Sequence, residues 1–256
     1  MKVIYKIAKA ELQMLFYSPI AWLLLLCFIV QTGITFAKFY EIFYSVNGDV
    51  YRASSTLFVS GNYGSGLWYL VQSFLYLYIP LLTMGIVSKE YSSGSVKLLY
   101  ASPISTAQII LGKFFALVTY AILMMLVLFV YVVIAWCTIE HFELAWALTG
   151  LLGLFLLACT YMAVGIFVSS LTSYQVIAAV GTFVVLMLLS WVGGWGQQYD
   201  VVREITYWLS INGRASTFIQ GMICTEDLIY FPTISAMFIV LTIIRLNAVR
   251  QKQRFT

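Results

Sequence analysis

FFALVTYAILMMLVLFVYVVIAWCT, residues 114–138, runs for twenty-five positions without an Asp, Glu, Lys, Arg or His. A helix of about 20 apolar residues crosses the hydrocarbon core of a bilayer and satisfies its own backbone hydrogen bonds where there is no water to do so. Five more blocks share this character: residues 20–37, 67–87, 144–168, 176–197 and 228–244. The first and last are the shortest, and Pro232 sits inside the last. Composition agrees: 62% of residues are hydrophobic and 9% are charged, against about 25% charged in soluble domains. The mean hydropathy is +0.94. The chain is expected to be an all-α integral membrane protein, a single domain of six transmembrane helices over residues 1–256.

The first block follows a basic start, Lys2, Lys6 and Lys9, as a secretory signal does. It is long, lacks a small-x-small pattern after it and runs into Lys38-Phe39-Tyr40. These features mark an uncleaved first span.

Charge placement supports an even count. With six spans, both termini share a side with segment 88–113 and the short link 169–175. That side gathers Lys2, Lys6, Lys9, Lys89, Lys97, Lys113, Arg245, Arg250, Lys252 and Arg254, ten of the fourteen basic residues, against only Glu11 and Glu90. The positive-inside rule makes it cytoplasmic, so both termini are expected inside.

Within residues 1–19, Lys2, Lys6, Lys9 and Gln13 recur at helical spacing, while Ile7, Ala10, Met14 and Leu15 offer an apolar side. The pattern predicts an amphipathic helix in the inner interface, ended by Ser18-Pro19; a plain charged anchor is the alternative. The outer segment 39–66 is rich in Tyr, Ser, Gly and Asn. The other, 198–227, alternates charges with Trp208, Ile211, Phe218 and Ile219, as one or two short helices partly dipping into the membrane would. Thr225 before Glu226-Asp227 reads as an N-cap with acids in the first turn.

Common catalytic signatures are missing. Gly112-Lys113 is followed by Phe114, and Ala107 stands where a phosphate-binding loop needs its first glycine. The single histidine, His141, has no H-E-x-x-H context, and the spans hold no acid pair for aspartyl chemistry. Cys27, Cys137 and Cys159 lie in or at the end of apolar blocks as small buried or lipid-facing side chains, and Cys224 lies in a more polar stretch. No Asp, Glu, Lys or His sits within a span to relay protons, which points to an energy source on a partner. No cofactor is expected on this chain.

The inner segment SKEYSSGSVKLLYASPISTAQIILGK, residues 88–113, is the most informative. Ser105 to Gln108 matches the S-x-x-Q capping box before an apolar run. Val96, Leu98, Leu99 and Ile104 place apolar points among polar ones. The pattern predicts a short surface helix tied at both ends to spans, able to pass on a push from a bound partner, or a plain connecting loop.

This segment resembles the signature of the ABC type-2 permease family, the membrane subunits of ATP-driven exporters. The resemblance rests on Glu90, Gly94-Ser95, Leu98-Leu99, Ser102-Pro103-Ile104 and Gly112-Lys113. Residues 80–84, 17–21 and 221–231, the last with Asp227-Leu228-Ile229-Tyr230-Phe231, are similar to the branch of gliding-motility-type permeases. Ser95 stands where Thr is common, Lys97 where Glu is frequent and Gly85 where a basic residue often stands. The resemblance implies that a cytoplasmic coupling helix between spans 2 and 3, built from Glu90, Gly94, Ser95, Leu98, Leu99, Ser102 and Pro103, docks on a separate P-loop ATPase that carries ATP and Mg. Gly94 would allow a turn, Leu98 and Leu99 would seat against the ATPase or neighbouring spans, and Pro103 would fix the exit toward the third span. It implies pairing with a second permease chain and residence in a bacterial cytoplasmic membrane, with lipids and a cell-envelope accessory protein as further partners. A stand-alone carrier or lipid scramblase, or a non-transporting envelope scaffold, are the other readings that composition admits. The substrate is not legible.

Overall fold

The computed structural model describes residues 2–45, 57–58, 66–95, 104–139, 142–192 and 210–254, and the regular structure among them is entirely helical. Helix α1 spans Lys2–Tyr17 and α2 spans Pro19–Ser45. Ser18 separates them, and Pro19 takes the first position of α2, where its missing N–H costs nothing. Helix α3, Leu67–Thr83, carries Pro80 inside it and gives way at Met84 to a turn, then to α4, Ser88–Ser93. Helix α5 covers Thr106–Thr138, α6 Leu144–Ser169 and α7 Gln175–Trp191. Helix α8, Ile211–Ile219, lies in the second outer segment, and α9 runs Thr225–Arg254.

Among the described residues, five helical stretches are long and apolar enough to cross a membrane: Pro19–Ile42, Leu67–Ser93, Thr106–Thr138, Leu144–Ser169 and Thr225–Gln251. Helix α7 is apolar but only 17 residues long, about 25 Å at 1.5 Å per residue. It stops six residues before the apolar block does, ahead of the poor helix formers Gly193 and Gly194. The apolar blocks therefore locate the long helices but not their ends. Helix α5 begins well before residue 114 because Ser105 and Gln108 form the reciprocal capping box that the sequence spells. Helix α9 continues past residue 244 through its basic tail.

Helix α6 is the centre of the bundle and packs against α3, α5, α7, α8 and α9. Two-thirds of its apolar window is buried, against 28% for α2 and for α9. Its Gly150, Gly153 and Gly165 abut Trp68, Phe218 and Thr83, the small-residue packing that brings helices close in lipid. The outward faces stay apolar: Leu23, Leu26, Ile122, Leu126, Val180 and Ile244 are exposed, as lipid-facing side chains should be. Cys27 and Cys137 are exposed in the same way, and Cys224 is exposed before α9.

The end of the bundle at α8 is tied by polar contacts inside apolar surroundings. Arg214 of α8 meets Asp227 at 2.6 Å with both side chains buried, and Thr217 Oγ1 donates to the other carboxylate oxygen at 2.7 Å. Asp227 is thus not simply a solvated acid in the first turn of α9. Asn212 Oδ1 accepts from Gln72 Nε2 at 2.9 Å and from the Tyr161 hydroxyl at 3.0 Å, which joins α8 to α3 and α6.

Candidate functional site

Helices α1 and α4 and the turn before α4 converge on one cation of α5. Lys113 stands in the third turn of α5, and its side chain is 2% exposed. A buried ammonium needs acceptors for three donors. Its Nζ lies 2.6 Å from Glu11 Oε1 of α1, 2.7 Å from Glu90 Oε1 of α4 and 3.0 Å from the carbonyl oxygen of Ile86 in the turn before α4. These two are the only acids in the two sequence stretches 1–19 and 88–113. Three segments far apart in sequence are thereby fixed to one point.

Helix α1 reaches Glu11 into this cluster because its packing face brings it there. Ile4, Ile7, Ala8, Glu11, Leu12 and Leu15 form a half-buried stripe, whereas Ala10 and Met14 are exposed. The helix is therefore rotated from the apolar side that Ile7, Ala10, Met14 and Leu15 outline, turning Glu11 toward Lys113. Lys2, Lys6 and Lys9 remain exposed. Helix α1 packs tightly on α5 at Gly112. A Cβ on Gly112 would lie 2.6 Å from Ile7 Cγ2, 2.8 Å from Ile7 Cβ and 3.3 Å from the Ile4 carbonyl oxygen. The Gly112-Lys113 pair thus has a divided task, one residue admitting α1 and the next holding it.

Helix α4 is positioned from three sides. Its N-terminal N–H groups have no cap from Val87, whose side chain cannot accept. Ser169, the last residue of α6, supplies it: its Oγ accepts from Val87 N at 3.2 Å and Ser88 N at 3.1 Å, and donates to the Met84 carbonyl at 3.0 Å. Glu90 ties the middle to Lys113. At the end, Gly94 takes φ +72°, ψ +1°, and its N–H bonds to the Tyr91 carbonyl at 3.3 Å. This left-handed geometry strains any residue with a Cβ, so the turn expected at Gly94 is present. Ser95 Oγ lies 2.8 Å from Ser93 Oγ and 3.4 Å from the Glu90 carbonyl. Ile104, just before α5, is tied as well, since Arg250 Nη1 of α9 donates to its carbonyl at 3.4 Å.

Of the residues assigned to coupling from the sequence, the structure brings Glu90, Gly94 and Ser95 together on α4 and its C-terminal turn. Leu98, Leu99, Ser102 and Pro103 lie outside the described residues, as do Lys97 and His141. Sequence reasoning missed Glu11 and Lys113 as partners of Glu90. The available signal was their imbalance: two acids among ten basic residues on one face, and a lysine at the head of a long apolar run.

Every donor of Lys113 is matched, and α4 is joined to α5 by the ion pair, to α1 through the lysine shared with Glu11 and to α6 through Ser169. A family model described as "ABC-2 family transporter protein" matches residues 5–244. No curated protein matches the chain.

Proposed function

The chain belongs to the ABC-2 family of transporter proteins, and on that premise we propose that it is the membrane-spanning permease subunit of an ATP-driven exporter. ATP and Mg bind to a separate P-loop ATPase, and this chain carries out no hydrolysis itself. The observation that carries the reading is the junction at Lys113. It links the segment that resembles the family's coupling signature, through Glu90, to the first helix, the third long apolar helix and, through Ser169, the centre of the bundle.

In this mechanism two permease chains pair, each presenting segment 88–113 to an ATPase subunit at the cytoplasmic face. Closure of the ATPases on ATP pushes α4. Because α4 has no slack at its N-terminus, at Glu90 or at Gly94, the push reaches α5 and α6 as a rigid displacement. Leu98, Leu99, Ser102 and Pro103 complete the docking surface.

Six spans place both termini and the coupling segment inside, with α7 as the short fifth span. Two observations support this: ten of fourteen basic residues then share the cytoplasmic face, and Gln175 at the start of α7 stands beside Gly85 at the inner end of α3. The amphipathic α1 lies in the inner interface with its lysines toward headgroups. Residues 17–21 and 227–231 support a place in the gliding-motility-type branch, without implying a role in motility.

Reversing charge in E90K sets two ammonium groups against Glu11 and is expected to abolish the permease-dependent part of ATP hydrolysis in proteoliposomes while the complex stays assembled. G94V, strained at its positive φ by about 1–2 kcal/mol, is expected to act likewise. Unchanged permease-dependent hydrolysis in both variants contradicts the assignment of α4 as the coupling element.

A further inference from the structure

A cavity of about 300 Å³ lies beside the Lys113 junction, enclosed by α1, the start of α2, the inner end of α3, α4 and the starts of α5 and α7. Its volume is at the small end of ligand sites, enough for a polar headgroup. Its wall is divided in chemistry. Ile20, Leu81, Leu82 and Met84 make one side apolar, and these belong to the ends of the two apolar helices α2 and α3. Glu11, Glu90 and Lys113, which meet at the junction, supply its charged lining, together with Lys89, Ser93 and Ser95.

The charges on the polar side do not cancel at the junction. Two carboxylates share one ammonium, so the cluster carries one negative charge in excess, and Lys113 engages the Oε1 atom of each. A second cation with N–H donors complements that excess. Lys89, adjacent to Glu90 and exposed, offers an ammonium to an anion on the same lining, beside the Ser93 and Ser95 hydroxyls that bond to each other. A group joining a primary ammonium to a phosphate, with hydrocarbon attached, matches all three regions at once.

We propose that this cavity binds the headgroup of an amine-bearing phospholipid from the inner leaflet, its ammonium at Glu11 and Glu90, its phosphate toward Lys89 and Ser95, and its chains leaving over Ile20, Leu81 and Leu82. The inference rests on the cytoplasmic placement of segment 88–113. A basic side chain of the ATPase would satisfy the carboxylates but leave the apolar wall without a partner, so the lipid is favoured. A lipid seated here braces α1 against α4 and makes the junction sensitive to the amine lipid content of the membrane.

The test uses the full chain alone, without an ATPase, so that its outcome is independent of ATP coupling. The chain is reconstituted in nanodiscs containing equal amounts of phosphatidylethanolamine, phosphatidylcholine and phosphatidylglycerol, then exchanged into detergent, and the retained lipid is quantified by native mass spectrometry. Wild type is expected to retain about one phosphatidylethanolamine per chain, with a preference of about tenfold over the other two. Phosphatidylcholine has the charge but no N–H donors, and phosphatidylglycerol has no cation. K89E, which reverses the charge facing the phosphate that all three lipids share, is expected to lower retention of phosphatidylethanolamine severalfold. G85L, at a position whose added Cβ meets only Gln175 Oε1 at 4.0 Å, fills the cavity from its wall and is expected to abolish retention. Equal retention of the three lipids by wild type overturns the proposal, whatever the variants do. So does undiminished retention in G85L, or crosslinking of a residue-89 probe to the ATPase in a complex free of bound phospholipid.

Discussion

Replacing Lys113 by Met strands two carboxylates in a site built for one cation. Breaking a buried ion pair by removing one partner costs about 3–5 kcal/mol, so K113M is expected to lower the thermal midpoint of the purified chain sharply. E11Q leaves Lys113 paired with Glu90 and is expected to cost about 1–3 kcal/mol. Neutralising both acids in the K113M background is expected to recover most of the loss, because no charge then remains without a counterion. Thermal unfolding followed by tryptophan fluorescence in one detergent ranks the variants, and a K113M midpoint equal to wild type contradicts the role given to this lysine. Glu90, Gly94 and Ser95 were all legible in the sequence as members of a pattern, and the left-handed turn at Gly94 followed from its residue type. The pairing was not. Glu11 and Lys113 are 102 residues apart, and only the docking of α1 on α5 brings them together.

That docking depends on how closely two helices approach, and it gives the prediction at the element scale. G112A pushes a methyl into Ile7 and is expected to lift the middle of α1 from α5, increasing proteolytic cleavage after Lys9. I7A removes Cγ2, the nearest obstructing atom, and is expected to restore part of the protection in the double variant. Equal cleavage of wild type and G112A contradicts the close packing described. The helices were largely readable. Absence of charge located the cores of α2, α3, α5, α6, α7 and α9, and the S-x-x-Q pattern gave the first turn of α5 to the residue. Rotation about the axis of α1 was not readable, because Ala10 and Met14 are apolar enough to join a buried stripe and only Glu11's partner excludes them. Nor was the capping of α4, whose acceptor Ser169 comes from another helix.

At the scale of the molecule, the placement of charge predicts which surfaces face which compartment. With Cys27, Cys137 and Cys159 replaced by Ala, the exposed Cys224 is expected to react with a membrane-impermeant maleimide on right-side-out vesicles. With Cys224 also replaced, K89C is expected to react only after permeabilisation, and labelling of K89C from outside contradicts the six-span orientation. An all-helical membrane architecture was legible because lipid leaves few alternatives to long apolar helices. The number of crossings was less so, since α7 is shorter than its apolar block and composition alone does not say where a helix stops. The family match across residues 5–244 and the convergence of three segments at Lys113 give the account its central claim, that this chain is moved by an ATPase on a partner. The direct measurement is affinity purification from native membranes in mild detergent, with identification of partners and an assay of ATP hydrolysis. The account predicts a stoichiometric P-loop ATPase with vanadate-sensitive hydrolysis in the eluate. The chain recovered without any ATPase, from membranes shown to contain the candidate subunit, would contradict it.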